Sequence, residues 1–266
     1  MTTADLMVAA LAREVRDGDV VGVGLGTPLA LCATLVARAT GAPGAEVLVA
    51  GAVSPDADLL ACMRGAPALA GRTAGFVPHL DTMDMAERQA MTLQFLRPAQ
   101  VDREGSTNTS SIRPPGEPRR RFPGGLATAD VPRLMPRIVL YHTDHRPRGL
   151  VERVDVVTGR GGASERGGRR SEGPTVLVTD LCVIALGGEG PHLVSVHPGV
   201  DPDRATAATG FALRAGRRVP ETEPPRPVEL KAMESIDPHE LRGVEVRETR
   251  ADALRRMLRL LEEAGR

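Results

Sequence analysis

The chain has no tryptophan, one tyrosine and four phenylalanines in 266 residues. So thin an aromatic supply argues against a platform that stacks nucleobases. Lysine is almost missing as well: Lys231 stands alone, and arginine supplies the rest of the positive charge. Both scarcities read as coding bias rather than chemistry. Basic and acidic residues balance at 34 each, so no net field steers the chain to nucleic acid or to an anionic membrane. No apolar run reaches the roughly 18 residues that would mark a membrane span, and the opening residues lack a signal-peptide pattern. A cytoplasmic chain without nucleic-acid or membrane partners is therefore expected. Cys32, Cys62 and Cys182 are odd in number and scattered among apolar neighbours. That pattern fits core packing in a reducing compartment better than a disulfide framework or a metal site.

What is present centres on residues 20–36, V-V-G-V-G-L-G-T-P-L-A-L-C-A-T-L-V. Val20, Val21 and Val23 are β-branched and suit a buried strand. Gly22, Gly24 and Gly26 suit a tight turn or a close approach of backbone to ligand. Thr27 is a good helix N-cap and Pro28 a good first helical residue. Leu29, Leu31, Cys32, Leu35 and Val36 then recur at helical spacing. A helix N-terminus offers unpaired N–H groups to an anion or a carbonyl oxygen. The alternative is a purely structural turn. A dinucleotide site fits poorly, because G-V-G-L-G lacks the G-x-G-x-x-G spacing and no acid follows a second strand.

Along the chain, Thr3 to Arg16 is predicted helical, capped by Thr2 or Thr3, with Met7, Leu11 and Val15 as its apolar stripe. Glu46 to Ala50 reads as a second buried strand followed by Gly51. A short helix is expected near Asp58–Met63 and a helical turn over Asp84–Met91. Strands are expected over Met91–Leu96 and from Pro98 to a charged turn at Gly105. Residues 106–125 form a candidate functional loop: S-T-N-T-S-S-I carries short hydroxyl and amide side chains that bond either to backbone or to a substrate. The Arg119–Arg121 triplet is either a solvated face or a phosphate contact. Further strands are predicted over Arg137–His142, Val151–Val157, Thr175–Asp180, Cys182–Leu186 and His192–His197. His142, Asp144 and His145 invite a metal, but alternating strand residues face opposite ways and no third His or Cys stands nearby. No metal site is expected. Residues 159–173 are low in complexity and read as a flexible insertion. Asp203–Thr209 is expected to be helical, and residues 219–227 extended. Thr249 to Ala264 is an amphipathic helix with a Thr249–Asp252 capping pair, a Leu254, Met257, Leu258 and Leu261 stripe, and Gly265 at its end.

Taken together, these segments resemble the beta chain of the two-chain class I CoA-transferases, of the glutaconate CoA-transferase kind. The resemblance runs through G-D-V-V-G-V-G-L-G-T-P-L (18–29), E-V-L-V-A-G (46–51), A-Q-V-D-R-E-G-S-T-N-T-S-S-I (99–112), R-F-P-G-G (121–125), I-V-L-Y-H (138–142), V-E-R-V-D-V-V-T (151–158), V-L-V-T-D (176–180) and T-G-F-A-L (209–213). It implies an α/β fold: an open, mostly parallel sheet with flanking helices (CoA-transferase, NagB/RpiA-like) plus a smaller mixed β region, as a single domain over 1–266. It implies an alpha-like partner in a heterodimer or dimer of heterodimers, coenzyme A as part of the substrate, and no permanently bound cofactor. It also makes Gly24, Leu25, Gly26, Ala50, Gly51, Asn108, Ser110, Gly124 and Gly125 the expected substrate- and CoA-lining residues. One departure stands out. In the family the strand matching 46–50 ends in a glutamate that attacks the acyl-CoA carbonyl; here the position is Ala50, which has no nucleophile. Glu46 would lie roughly 13 Å away along a strand, and Asp56 and Asp58 follow a proline turn. The F-P-G-G run is also shorter than the family's glycine run. A relative without that glutamate opens the last steroid ring in bacterial sterol degradation by hydrolytic C–C cleavage of an acyl-CoA. Three readings follow: the beta-like half of an acyl-CoA hydrolase, half of a true CoA-transferase with its nucleophile elsewhere, or a non-catalytic structural or binding subunit.

Overall fold

The computed structural model describes residues 1–24, 26–114, 116–125, 128–166 and 169–264. They form two compact units, one of residues 1–83 with the stretch from Pro224 onward, the other of residues 84–223.

The first unit opens with α1 (Thr3–Ala12), β1 (Val20–Val23), α2 (Pro28–Thr40), β2 (Glu46–Val49), β3 (Ala52–Val53), α3 (Leu59–Arg64), α4 (Ala66–Leu69) and β4 (Gly75–Phe76). A capping box starts α1: the Asp5 N–H donates to the Thr2 hydroxyl at 3.2 Å, and the Thr2 N–H donates to the Asp5 carboxylate at 2.7 Å. This helix is buried from Ala4 to Ala12 on every side rather than along one stripe, and it ends at Ala12 instead of Arg16. Its many alanines allow such all-round burial. β1 and β2 pair in parallel from Val20↔Glu46 to Val23↔Val49, while β2–β3 and β3–β4 are antiparallel. Asp58 caps α3 through the Ala61 N–H at 2.8 Å. Met7, Leu11, Leu29, Leu59 and Leu69 are among the fully buried side chains of this unit.

α5 (His79–Glu87) carries the chain into the second unit. It begins five residues before the expected helical turn. Next come β5 (Leu93–Leu96), β6 (Gln100–Asp102), β7 (Thr107–Asn108), β8 (Ser111–Ile112), β9 (Arg120–Arg121), α6 (Val131–Leu134) and β10 (Arg137–His142). They are followed by β11 (Leu150–Val151), β12 (Ser164–Arg166), β13 (Arg169–Ser171), β14 (Pro174–Thr179), β15 (Cys182–Ala185), β16 (His192–Val196) and α7 (Pro202–Ala207). Here β5, β10 and β14 are parallel neighbours, and β15 and β16 extend them antiparallel. A three-stranded sheet orders β11–β6–β7. The strand expected over Val151–Val157 stops at Val151, because later backbone groups bond to side chains: the Asp155 N–H donates to Gln100 at 3.0 Å. The low-complexity segment carries the antiparallel β12–β13 hairpin.

The chain then returns to the first unit as α8 (Pro227–Ile236), a 3-10 turn (Leu241–Val244) and α9 (Arg250–Ala264). α8 follows a stretch that reads as extended. Pro227 sits in its first turn, and the Arg226 N–H donates to the Glu229 carboxylate at 2.6 Å, so the proline starts a helix here. The expected Thr249–Asp252 cap is not made. The Thr249 hydroxyl donates to the Gly243 carbonyl at 2.8 Å, and Asp252 pairs with Arg255. On the α9 stripe, Leu258 and Leu261 stay exposed; Gly265 lies outside the described residues. Among the described residues no helix is long and apolar enough to cross a membrane.

Candidate functional site

The expected site residues divide between the two units. In the first, Val23 and Val49 end β1 and β2 as register partners. The next residues, Gly24 and Ala50, therefore sit side by side beyond the carboxyl ends of neighbouring parallel strands, where open α/β sheets gather their ligands. Leu25 lies outside the described residues. Gly26 has φ +72°, which glycine adopts freely.

Ala50 and Gly51 form the two-residue connection between β2 and β3, with φ of +51° and +79°. Two positive φ values mark a type I′ turn, the form that matches strand twist. Gly51 is needed there twice over: a Cβ on it would lie 2.9 Å from the Val77 carbonyl oxygen. The Val77 N–H donates to the Gly51 carbonyl at 2.7 Å, which locks the turn. Ala50 is the uncommon case of a non-glycine residue held left-handed, and such residues cluster at functional sites.

Two carboxylates close to Ala50 in sequence are committed elsewhere. Glu46 bonds the Ser54 hydroxyl at the far end of β2, and Asp58 caps α3. The N-terminus of α2, expected to offer free donors, is also taken up in part. Thr27 makes no side-chain cap, and its hydroxyl donates to the Gly24 carbonyl. Instead the buried Glu245 carboxylate accepts from the Leu29 N–H at 2.8 Å. A glutamate 216 residues away caps this helix, and no local motif announces it.

In the second unit, Asn108 is fully buried. Its amide nitrogen donates to Gln100 at 2.8 Å and to the Ser111 carbonyl at 2.7 Å. Its amide oxygen accepts from the N–H groups of Ser110 and Ser111 at 3.0 and 3.2 Å. That engages all four of its hydrogen-bonding capacities within the loop. Ser110 shares a hydrogen bond with Thr158 at 2.7 Å. The Gly124 carbonyl accepts from the Thr109 hydroxyl at 2.7 Å and also from Thr128. A Cβ on Gly124 would meet the Thr109 Cβ at 2.7 Å, so only glycine fits; one on Gly125 would meet nothing within 4 Å. Arg119 donates to the Ser111 hydroxyl at 2.8 Å, and Arg120 pairs with Glu117.

The histidines engage separate partners. His142 lies against the Ala99 carbonyl, and Asp144 pairs with Arg146 and Arg148. His145 sits between the Thr179 and Thr209 hydroxyls, each at 2.8 Å, with the Cys182 sulfur 3.6 Å away. Burial pushes the Cys182 thiol up to about 12 and, with His142 nearby, pulls His145 down to about 4. A neutral thiol beside a neutral imidazole is a packing pair rather than a nucleophile and its base.

No family model matches the chain. Individual proteins do. It is 28% identical to the beta chain of the 3-oxoadipate CoA-transferase of Pseudomonas knackmussii, over 89% of this chain and 93% of that one. It is 29% identical to the cholesterol ring-cleaving hydrolase IpdB subunit of Mycobacterium tuberculosis, over 92% and 99%. The crystal structure of the decarboxylase AibA/AibB superposes with TM-score 0.80 at 34% identity, over 92% and 98%. The fold is that of the α/β CoA-transferases. The chain belongs to the CoA-transferase family, on its beta-chain side.

Proposed function

We propose that this chain is the beta-like half of a two-chain enzyme that cleaves a bond in an acyl-CoA without carrying CoA on its own side chain. The observation that carries this is Ala50 in the locked type I′ turn at the end of β2. A methyl group there cannot form an acyl or CoA ester. The named relatives support the same direction, since a hydrolase and a decarboxylase stand beside a transferase among them. Ring-opening hydrolysis and decarboxylation both leave electrons on the carbon next to a thioester. Backbone N–H groups of a glycine turn suit the resulting enolate oxygen. The general acid or base comes from the alpha-like partner, in a heterodimer or dimer of heterodimers. Gly24, Gly26, Ala50 and Gly51 line the substrate. Coenzyme A enters only as part of that substrate. Hydrolysis is the primary reading; the 34% identity to a decarboxylase favours decarboxylation as the second.

The test is co-expression with the partner and incubation with a panel of acyl-CoA esters. Intact-mass spectrometry should show this chain unmodified during turnover, and borohydride should leave activity intact. A CoA adduct on any residue of this chain would overturn the proposal in favour of covalent transfer. Ala50→Glu should give transferase activity at least about 100-fold below that of a working site, since a misplacement of ~1 Å costs that much.

A further inference from the structure

The last helix of the first unit, α9 (Arg250–Ala264), has one anchored side and one bare side. Ala253 is fully buried. Arg250 donates to the Val244 and Glu245 carbonyls at 3.1 and 2.8 Å. Arg256 donates to the His239 carbonyl at 2.9 Å and pairs with Glu240 at 3.1 Å. These contacts fix the helix on the segment that precedes it. At helical spacing, Leu254, Leu258 and Leu261 fall together on another face. Leu258 is 56% exposed and Leu261 40%. Adjoining rather than scattered exposed leucines mark an interaction face.

Charge beside the leucines says what covers them. Arg255 and Glu262 are about two turns apart on the same flank of the row, roughly 10 Å along the axis, too far to pair within one helix. Arg255 holds only an exposed ion pair with Asp252, and Glu262 makes no ion pair among the described residues. A two-fold axis between two antiparallel copies of α9 brings the same flank of each helix together. If the copies cross between Leu258 and Arg259, Arg255 of each stands opposite Glu262 of the other. Leu258 then meets its own copy, and Leu254 lies beside Leu261 of the second chain. The apolar row and the charges beside it are self-complementary in the same register.

We infer that the leucine face of α9 docks onto the same face of a second copy of this chain. One pair of short helices buries less than the roughly 1,200 Å² at which stable interfaces begin, so the contact is weak by itself. It suits the joining of two heterodimers rather than the union of the two kinds of chain. It owes nothing to the acyl-CoA chemistry proposed above, and the two stand or fall separately. Sedimentation equilibrium on the full chain, alone and with its alpha-like partner, tests it from micromolar to sub-millimolar concentration. Two copies of this chain per particle are expected at the upper end. Leu258→Ser should weaken the association by at least about 10-fold, since two leucines lose their cover. Arg255→Glu or Glu262→Arg alone sets like charges opposite each other at two places and should weaken it by about 2- to 30-fold, two exposed pairs at their ordinary strength. The two single variants mixed should associate with each other as tightly as wild type, because every charge then meets its opposite. A wild-type particle with one copy of this chain at sub-millimolar concentration would overturn the inference. Single variants that associate like wild type, or a mixture no tighter than either variant alone, would do the same. If the variants release the alpha-like partner and mixing does not restore it, that partner covers α9 and the inference fails while the acyl-CoA reading stands.

Discussion

In the unit that carries β1 and β2, the buried polar side chains are ionisable: Asp5, Asp19, Glu229, Asp237, Arg242 and Glu245, with Thr34 the exception. In the unit of residues 84–223 they are mostly neutral amides, hydroxyls and imidazoles, among them Gln100, Asn108, Thr179, His145 and His197. Asp102 and Arg137 are the charged exceptions there. The first unit fixes its helix ends with charge: Arg242 bridges Asp5 at 2.8 Å and Asp237 at 3.0 Å, and Glu245 holds the start of α2. The second fixes its loops with chains of neutral hydrogen bonds, such as Ser195 to Thr222 to His197 to the Thr179 carbonyl. Charge gives strong local anchors that fail abruptly when one partner is removed. Neutral networks instead depend on each group keeping its protonation state.

Removing a partner should therefore produce the largest effect, in the first unit. Arg242→Ala leaves Asp5 and Asp237 buried without a cation and should cost about 3–5 kcal/mol. Urea denaturation measures it. Adding Asp5→Asn and Asp237→Asn should recover part of the loss, because the stranded charges go with them. A single-variant cost below about 1 kcal/mol would dissolve the contrast between the units.

Acid should reverse which unit is weaker. Burial is the first cause holding His145, His142 and His197 below the ordinary histidine value, with His145 near 4. In the unfolded chain these groups take up protons near pH 6.5. Between pH 6.5 and 4 the unfolded state thus binds more protons, and stability falls as pH drops. It is fully present above 6.5. For His145 the slope approaches about 1.4 kcal/mol per pH unit and totals about 3 kcal/mol, and His142 and His197 act in the same direction. In the first unit the two carboxylates beside Arg242 move oppositely. Burial raises Asp237, whereas for Asp5 the Thr2 N–H and Arg242 outweigh burial and lower it. Their effects on acid stability therefore oppose each other. Hydrogen exchange at pH 5 should expose β14–β16 before α1 and α2. Simultaneous loss of protection would show that charge and neutral networks answer acid alike.

The sequence makes legible what depends on neighbours along the chain. β1, β2, β10, α2 and the Asp58-capped α3 follow from β-branched runs, Pro28 and a cap residue. The glycine turn stands out because strand ends are readable, and Ala50 stands out only through the family resemblance. Asn108 is legible as part of the candidate loop, but not as one wholly occupied by Gln100, Ser110 and Ser111, since that depends on the β6–β7 pairing. Glu245 is hidden for the same reason: its partner, the Leu29 N–H, is 216 residues away. α8 is missed because the Pro/Glu-rich stretch up to Pro227 reads as extended until Glu229 is seen to accept the Arg226 N–H.

The smallest effect lies at the turn itself, where neither charge nor neutral side chains hold the backbone. Ala50 and Gly51 share one type I′ turn and both have positive φ. Only Gly51 faces an obstacle, since a Cβ there would stand 2.9 Å from the Val77 carbonyl oxygen. At Ala50 the methyl is already accommodated, and a Cβ added at Gly65 would stand 3.9 Å from it, an ordinary contact. Gly51→Ala should then cost about 1–2 kcal/mol from the left-handed backbone, with the close contact adding to it. Ala50→Gly relieves a similar strain but adds unfolded-state freedom worth about 0.4–1 kcal/mol, so the net change should stay within about 1 kcal/mol. Urea midpoints of the two variants give the comparison, and because no ionisable side chain is involved it should read the same at pH 6 and pH 8. If Ala50→Gly destabilises as much as Gly51→Ala, the alanine methyl makes a contact that matters, and Ala50 is kept for packing rather than left from the loss of a larger side chain. If Ala50→Gly is neutral, the methyl is dispensable to the fold, and the position is free to be judged by chemistry alone.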